Sequence, residues 1–101
     1  MDILTQTINL LFKTMERYFR NSEIIDGSVN DNLVMMHIEK GKYFGLNPVG
    51  KRIWDILEQP KNIEEITDIL QSEFVVTSEQ CKADVQEFMD KMEKADIIKK
   101  E

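Results

Sequence analysis

The chain is poor in the residue types from which reactive sites are built. Among its 101 residues stand one cysteine, Cys81, and one histidine, His37. A lone cysteine makes no internal disulfide, which points to a reducing compartment. One Cys and one His do not make a zinc site without carboxylates at suitable spacing, and no such spacing stands out. Cys81 has no second histidine to activate it and falls on an apolar helical stripe, so a structural role is assigned to it. His37, inside a predicted strand, reads as a packed side chain rather than a base. The glycines of "GKYFGLNPVGK" do not form the G-x-x-x-x-G-K-[ST] phosphate cradle. These absences argue against an enzyme, and no metal or cofactor is expected.

Long apolar runs are missing as well. The cluster Ile8 to Phe12 is broken by Asn9 and falls far short of the roughly 18 residues of a membrane span. No basic start leads into an apolar run and a small-residue cleavage site, so a cytoplasmic protein is expected. Basic residues are outnumbered, 13 against 19 acidic, for a formal charge of −6. That balance disfavours non-specific attraction to phosphate backbones or anionic lipid. The apolar share of 42% is ordinary for a folded chain of single-domain length.

What is present is well punctuated. Leu4, Ile8, Leu11, Met15 and Phe19 recur at helical spacing, predicting an amphipathic N-terminal helix over residues 1–20 with Asp2 as its cap. It either packs on its own domain or docks on a partner or a second copy. From residue 21 the period changes. Strands are predicted at Glu23–Val29, Leu33–Glu39 and Lys42–Leu46, with turn signals at Asp26-Gly27 and Gly41. The middle strand is apolar on both faces, which predicts cover on both sides. The last is left at an edge.

Three helices follow. Asn47-Pro48 is a cap followed by a first-turn proline, and the helix turns Val49, Ile53, Ile56 and Leu57 inward. Asn62-Ile63-Glu64-Glu65 and Thr77-Ser78-Glu79-Gln80 have the shape of capping boxes. They open helices carrying Ile63, Ile66, Ile69, Leu70 and Phe74, then Cys81, Val85, Phe88, Met89 and Met92. The tail "DIIKKE" reads as a short apolar tuck. The predicted fold is α+β and winged helix-turn-helix-like, a three-stranded antiparallel meander followed by three helices, with the extra N-terminal helix. Two parts are expected, an extension over 1–20 and a domain over 21–101.

Winged helices often bind DNA, and Lys40, Lys42, Lys51 and Arg52 form one local basic group. The third helix, however, exposes Glu79, Asp84, Glu87, Asp90 and Glu93, and these carboxylates would repel phosphates. DNA binding is therefore the lesser alternative.

The stretch "GKYFGLNPVGKRIWDIL", residues 41–57, resembles the PqqD-like family, the peptide-recognition domains of ribosomal peptide biosynthesis. The likeness extends over about Ser22 to Ile98, and its specific part is the Y-F-x-L-N-x-x-G-x-x-I-W run. By size the chain is similar to the freestanding leader-binding proteins of lasso-peptide pathways. It departs from the family's "GLI" ending, where it has Ala95-Asp96-Ile97-Ile98. The resemblance implies a non-catalytic protein that binds a precursor's leader peptide as an added strand and delivers it to a leader peptidase or modifying enzyme. Peptide contacts are expected at Lys42, Tyr43, Phe44, Gly45, Leu46, Val85, Phe88, Met89 and Met92. The edge strand makes the same suggestion physically, since its unpaired backbone groups invite pairing. The N-terminal stripe and the Lys51–Arg52 pair are candidate enzyme-docking surfaces. A monomer is expected, with a dimer through the N-terminal segment as the alternative.

Overall fold

The computed structural model describes residues 16–29 and 32–101. Among these residues, two small antiparallel sheets and three helices enclose one core. The first sheet is the expected meander, β2 (Ile24–Val29), β3 (Asn32–His37) and β4 (Lys42–Leu46), in that order. The second was not anticipated: β1 (Arg17–Arg20) lies between β5 (Lys61–Asn62) and β6 (Ile98–Lys100). The helices are α1 (Pro48–Ile56), α2 (Ile63–Glu73) and α3 (Ser78–Lys94).

Strand β1 corrects the expected N-terminal helix at its end. Residues 17–20 are extended, Tyr18 is buried, and both backbone edges find partners in Lys61–Asn62 and in the tail. Aromatic residues fit a pleated surface well, and two-sided pairing outweighs a weak helical stripe. Phe19 therefore does not continue that stripe, and Leu4, Ile8, Leu11 and Met15 lie outside the described residues. The tail is likewise a strand, entered through the buried Ile97 and Ile98.

The helix starts follow the sequence closely. The Asn47 side chain accepts from Gly50 N–H at 2.8 Å, with Pro48 in the first turn. Asn62 and Glu65 form the reciprocal capping box. Thr77 accepts from Gln80 N–H at 3.2 Å. The core joins Met35, Ile53, Trp54, Ile66, Leu70, Val85 and Met89. Trp54 is core as expected: its Nε1–H donates to Asp26, and the Arg20 guanidinium stacks 4.4 Å from its ring centroid.

The departure at Ala95-Asp96 has a geometric explanation. Helix α3 ends in a Schellman turn, with Asp96 N–H donating to Glu93 O and Ile97 N–H to Met92 O. Asp96 occupies the position usually held by glycine, with φ 61°. Its carboxylate accepts from Nε2 of the buried His37 at 3.0 Å. Lys40 N–H donates to His37 Nδ1 at 3.3 Å, which places the ring hydrogen on Nε2. The aspartate thus holds a left-handed backbone position that asparagine and aspartate tolerate, and gives the buried imidazole its acceptor.

Asp96→Asn is expected to melt near wild type. Asp96→Gly should melt lower, because His37 loses its partner, and Asp96→Ala lowest, because backbone strain is added. The hydrogen bond from His37 holds the Asp96 carboxyl below its ordinary range, helped by Lys40 and Lys99. A depressed folded-state value contributes stability that is present above about pH 4 and lost as pH falls through it. Melting temperature against pH should therefore fall less steeply on the acid side in Asp96→Asn than in wild type.

Candidate functional site: an edge strand beside an apolar groove

Strand β4 is the outer strand of its sheet, with β3 as its one strand partner among the described residues. Which of its backbone groups are free follows from the ladder. Ile38 N–H donates to Glu23 O at 3.2 Å, continuing the β2–β3 register in which His37 lies opposite Ile24. Backbone polar groups alternate sides along a strand, so Val34 and Met36 bond toward β2, and Leu33, Met35 and His37 toward β4. Their partners Leu46, Phe44 and Lys42 are therefore turned inward. Tyr43 and Gly45 carry the outward N–H and C=O groups. Phe44 and Leu46 lean on the core, and the Tyr43 side chain stands 71% exposed on the opposite face.

Beyond Leu46 the strand runs into Asn47 and the first turn of α1, where an apolar groove of about 390 Å³ opens. Its walls are Val49, Gly50 and Ile53 of α1, Leu70, Phe74 and Val76 around the end of α2, and Cys81, Val85 and Phe88 of α3. Gly50 of α1 packs closely between the end of the strand and the third helix. A Cβ there would stand 3.1 Å from the Phe88 ring and 3.4 Å from Leu46, tighter than ordinary packing for the first. The glycine of the N-x-x-G run thus serves close approach rather than backbone conformation.

The structure sorts the expected contact residues. Lys42, Tyr43 and Gly45 are exposed on the edge, and Phe44, Leu46, Phe88 and Met92 are half-buried against the core. Val85 forms groove floor. Met89 is 0% exposed in the core and is not part of the groove lining. Of the groove lining, only Val85 and Phe88 were among the expected contacts, and three of the residues missed show why. Val49, expected inward, is 45% exposed, and Phe74 is 43% exposed; each sits at the margin of an apolar helical stripe. Asp84 was read as a solvated helix face, yet it is the one carboxylate in the lining. Gln80 Nε2–H donates to it at 2.8 Å.

The one thiol in the groove lining is not activated. Burial pushes the Cys81 thiol up, with the Asp84 charge adding to it, which keeps it protonated near neutral pH. No cluster of three potential metal ligands occurs among the described residues. No helix among them is long and apolar enough to cross a membrane. The expected basic group is also smaller than it looked. The Arg52 guanidinium is held by Glu73 in a two-pronged ion pair at 2.7 Å, while Lys51 stays exposed.

The comparisons with known proteins agree with this architecture. The family model for coenzyme PQQ synthesis protein D, PqqD, matches residues 32–98. Among solved structures, TbiB1 in complex with the TbiA(beta) leader peptide is similar with a TM-score of 0.74 and 30% identity, over 80% of this chain and 94% of that one. Lasso peptide synthetase B1 complexed with its leader peptide is similar with a TM-score of 0.71, over 81% of this chain and 96% of that one. At 17% identity the second likeness speaks for the fold. No curated protein sequence matches the chain. A match over residues 32–98, carrying the edge strand, the groove and the Schellman turn, makes this chain a member of the PqqD family.

Proposed function

We propose that this chain binds the leader region of a ribosomally made precursor peptide, without catalysing a reaction itself, and presents it to a processing enzyme. The observation that carries this reading is the free edge of β4, with Tyr43 and Gly45 turned outward, running into an apolar groove. Edge backbone groups supply sequence-tolerant affinity, and pockets for alternate side chains supply selectivity. In a peptide paired to β4, residues opposite Phe44 and Leu46 face the helices, and residues opposite Tyr43 and Gly45 face away. A flanking apolar residue continues past Asn47 into the groove. Two solved relatives of the same fold are leader-peptide complexes, which supports the assignment.

Delivery is the role the leader-binding reading calls for. A protein that only binds accelerates a reaction by raising local substrate concentration, which tethering takes to about the millimolar range. For a lasso-type pathway the receiving enzyme is a leader peptidase. The DNA-binding alternative finds no support in the exposed face of α3, where Glu79, Asp84, Glu87 and Asp90 all reach solvent.

The groove gives a direct test. Phe74→Ala removes an exposed ring from the groove wall without opening the core. It should weaken binding of a fluorescein-labelled leader of the pathway's precursor peptide by on the order of 1 kcal/mol, about fivefold. Unchanged anisotropy titrations would remove the groove from the site.

A further inference from the structure

Pairing along β4 selects an extended peptide and says little about which one. Tyr43 and Gly45 carry its outward groups, and a peptide that slips by two residues meets the same pair. A side-chain contact has to set the register. The groove past Leu46 holds one charged residue, Asp84, among walls that are otherwise uncharged. Asp84 stands one helical turn before Phe88 on the same flank of α3, about 5.4 Å along the axis. Its carboxylate accepts from the neutral Gln80 amide and makes no ion pair among the described residues. Arg52 of α1 is taken by Glu73, and Glu79 and Glu87 on α3 add negative charge rather than cancel it. The Asp84 charge also reaches the groove floor, since it helps to push up the Cys81 thiol. The other end of the cleft has the opposite sign. Lys42 shares a strand face with Phe44 and Leu46, and Lys40 stands 3.9 Å from Asp96.

We infer that Asp84 selects a leader with a lysine or arginine just beyond the segment paired to β4, beside the apolar residue that fills the groove. The inference rests on the leader-binding reading and deepens it by naming the charge the peptide brings. An apolar residue entering the groove strips water from Asp84, and a desolvated carboxylate without a partner is costly. A neighbouring cation turns that cost into an ion pair, in a partly enclosed place where salt screens less than at an open surface. The long stem of a lysine or arginine lies on the apolar wall, with the Phe74 and Phe88 rings beside its path. A slip of two residues carries the cation about 7 Å along the cleft and breaks the pair. One charge thus fixes both the register and the choice of peptide.

The test is a charge cycle on the full chain, read by anisotropy at low salt. The probes are the fluorescein-labelled leader of the pathway's precursor and variants of it with each Lys or Arg replaced in turn by Gln. Asp84→Asn keeps an acceptor for Gln80 and removes the charge. It should weaken the native leader by about five- to tenfold, and by less in about 1 M salt. One leader replacement should weaken binding to wild type by a similar factor and cost nothing further in Asp84→Asn. Asp84→Lys should prefer the leader in which that same residue is Glu. Glu87→Gln, whose carboxylate pairs with Lys91 on α3, should stay within about twofold of wild type. Equal leader affinity in wild type and Asp84→Asn overturns the proposal. A loss that no leader Lys or Arg shares also overturns it, and assigns Asp84 to a neutral donor. Should Asp84→Asn melt early, the leader series on wild-type protein decides alone, and a series with no weakened member overturns the proposal. Wild-type protein that fails to bind the native leader removes the premise, a failure distinct from all of these.

Discussion

Replacing Gly45 with proline should weaken leader binding by on the order of 1–3 kcal/mol, about five- to a hundredfold, and leave the protein folded. The Gly45 N–H points away from β3, so proline removes a donor that the free protein does not use internally and sets its ring in the path of an incoming strand. Tyr43→Pro should behave in the same way, since the two residues share that orientation. Phe44→Pro is the internal contrast. Its N–H bonds inward to β3 opposite Met35, so proline there breaks the sheet and should cost roughly 3 kcal/mol of stability or more. Thermal melts and leader titrations on the three variants form the test. The account requires loss of binding without loss of folding at 43 and 45, and loss of folding at 44. Intact leader affinity in both folded variants would contradict strand addition.

Met89→Glu is expected to abolish the fold rather than the binding site. Met89 is fully enclosed, and an ionised carboxylate there has no partner, at a cost of several kcal/mol. Domains of this size are stable by about 5–15 kcal/mol, so most of that margin disappears. Met92, three residues on, is half-buried at the margin of the core. Met92→Glu should stay folded and lose some leader affinity. Circular dichroism melts separate the two outcomes. A folded Met89→Glu variant with weakened binding would move Met89 from the core to the peptide groove.

The punctuated parts of the sequence were the legible ones. Asn47-Pro48, Asn62 with Glu65, and Thr77 each state a helix start in local chemistry, and the structure uses all three. Strand β4 was bounded to the residue, because Gly41 and Asn47 flank it. The sheet formed by β1, β5 and β6 was not legible. Its strands are two to four residues long, and their partners are far apart in the chain, so no period-two signal accumulates. Arg17–Arg20 also continued a helical stripe in the sequence, which hid the change. Val49 and Phe74 were assigned to the core because apolar periodicity does not distinguish the floor of a groove from the core beside it. Asp84 looked like every other carboxylate on α3 until the groove placed it. Asp96 was visible only as a departure from glycine. Its pairing with His37, 59 residues away, needed the fold.

Amide hydrogen exchange on the full chain, free and saturated with its leader, tests strand addition most directly. The account predicts that the Tyr43 and Gly45 amides exchange readily in the free protein and become protected on binding. Phe44 and Leu46, already bonded to β3, should change little. Saturation of the protein with Tyr43 and Gly45 exchanging as before would contradict it.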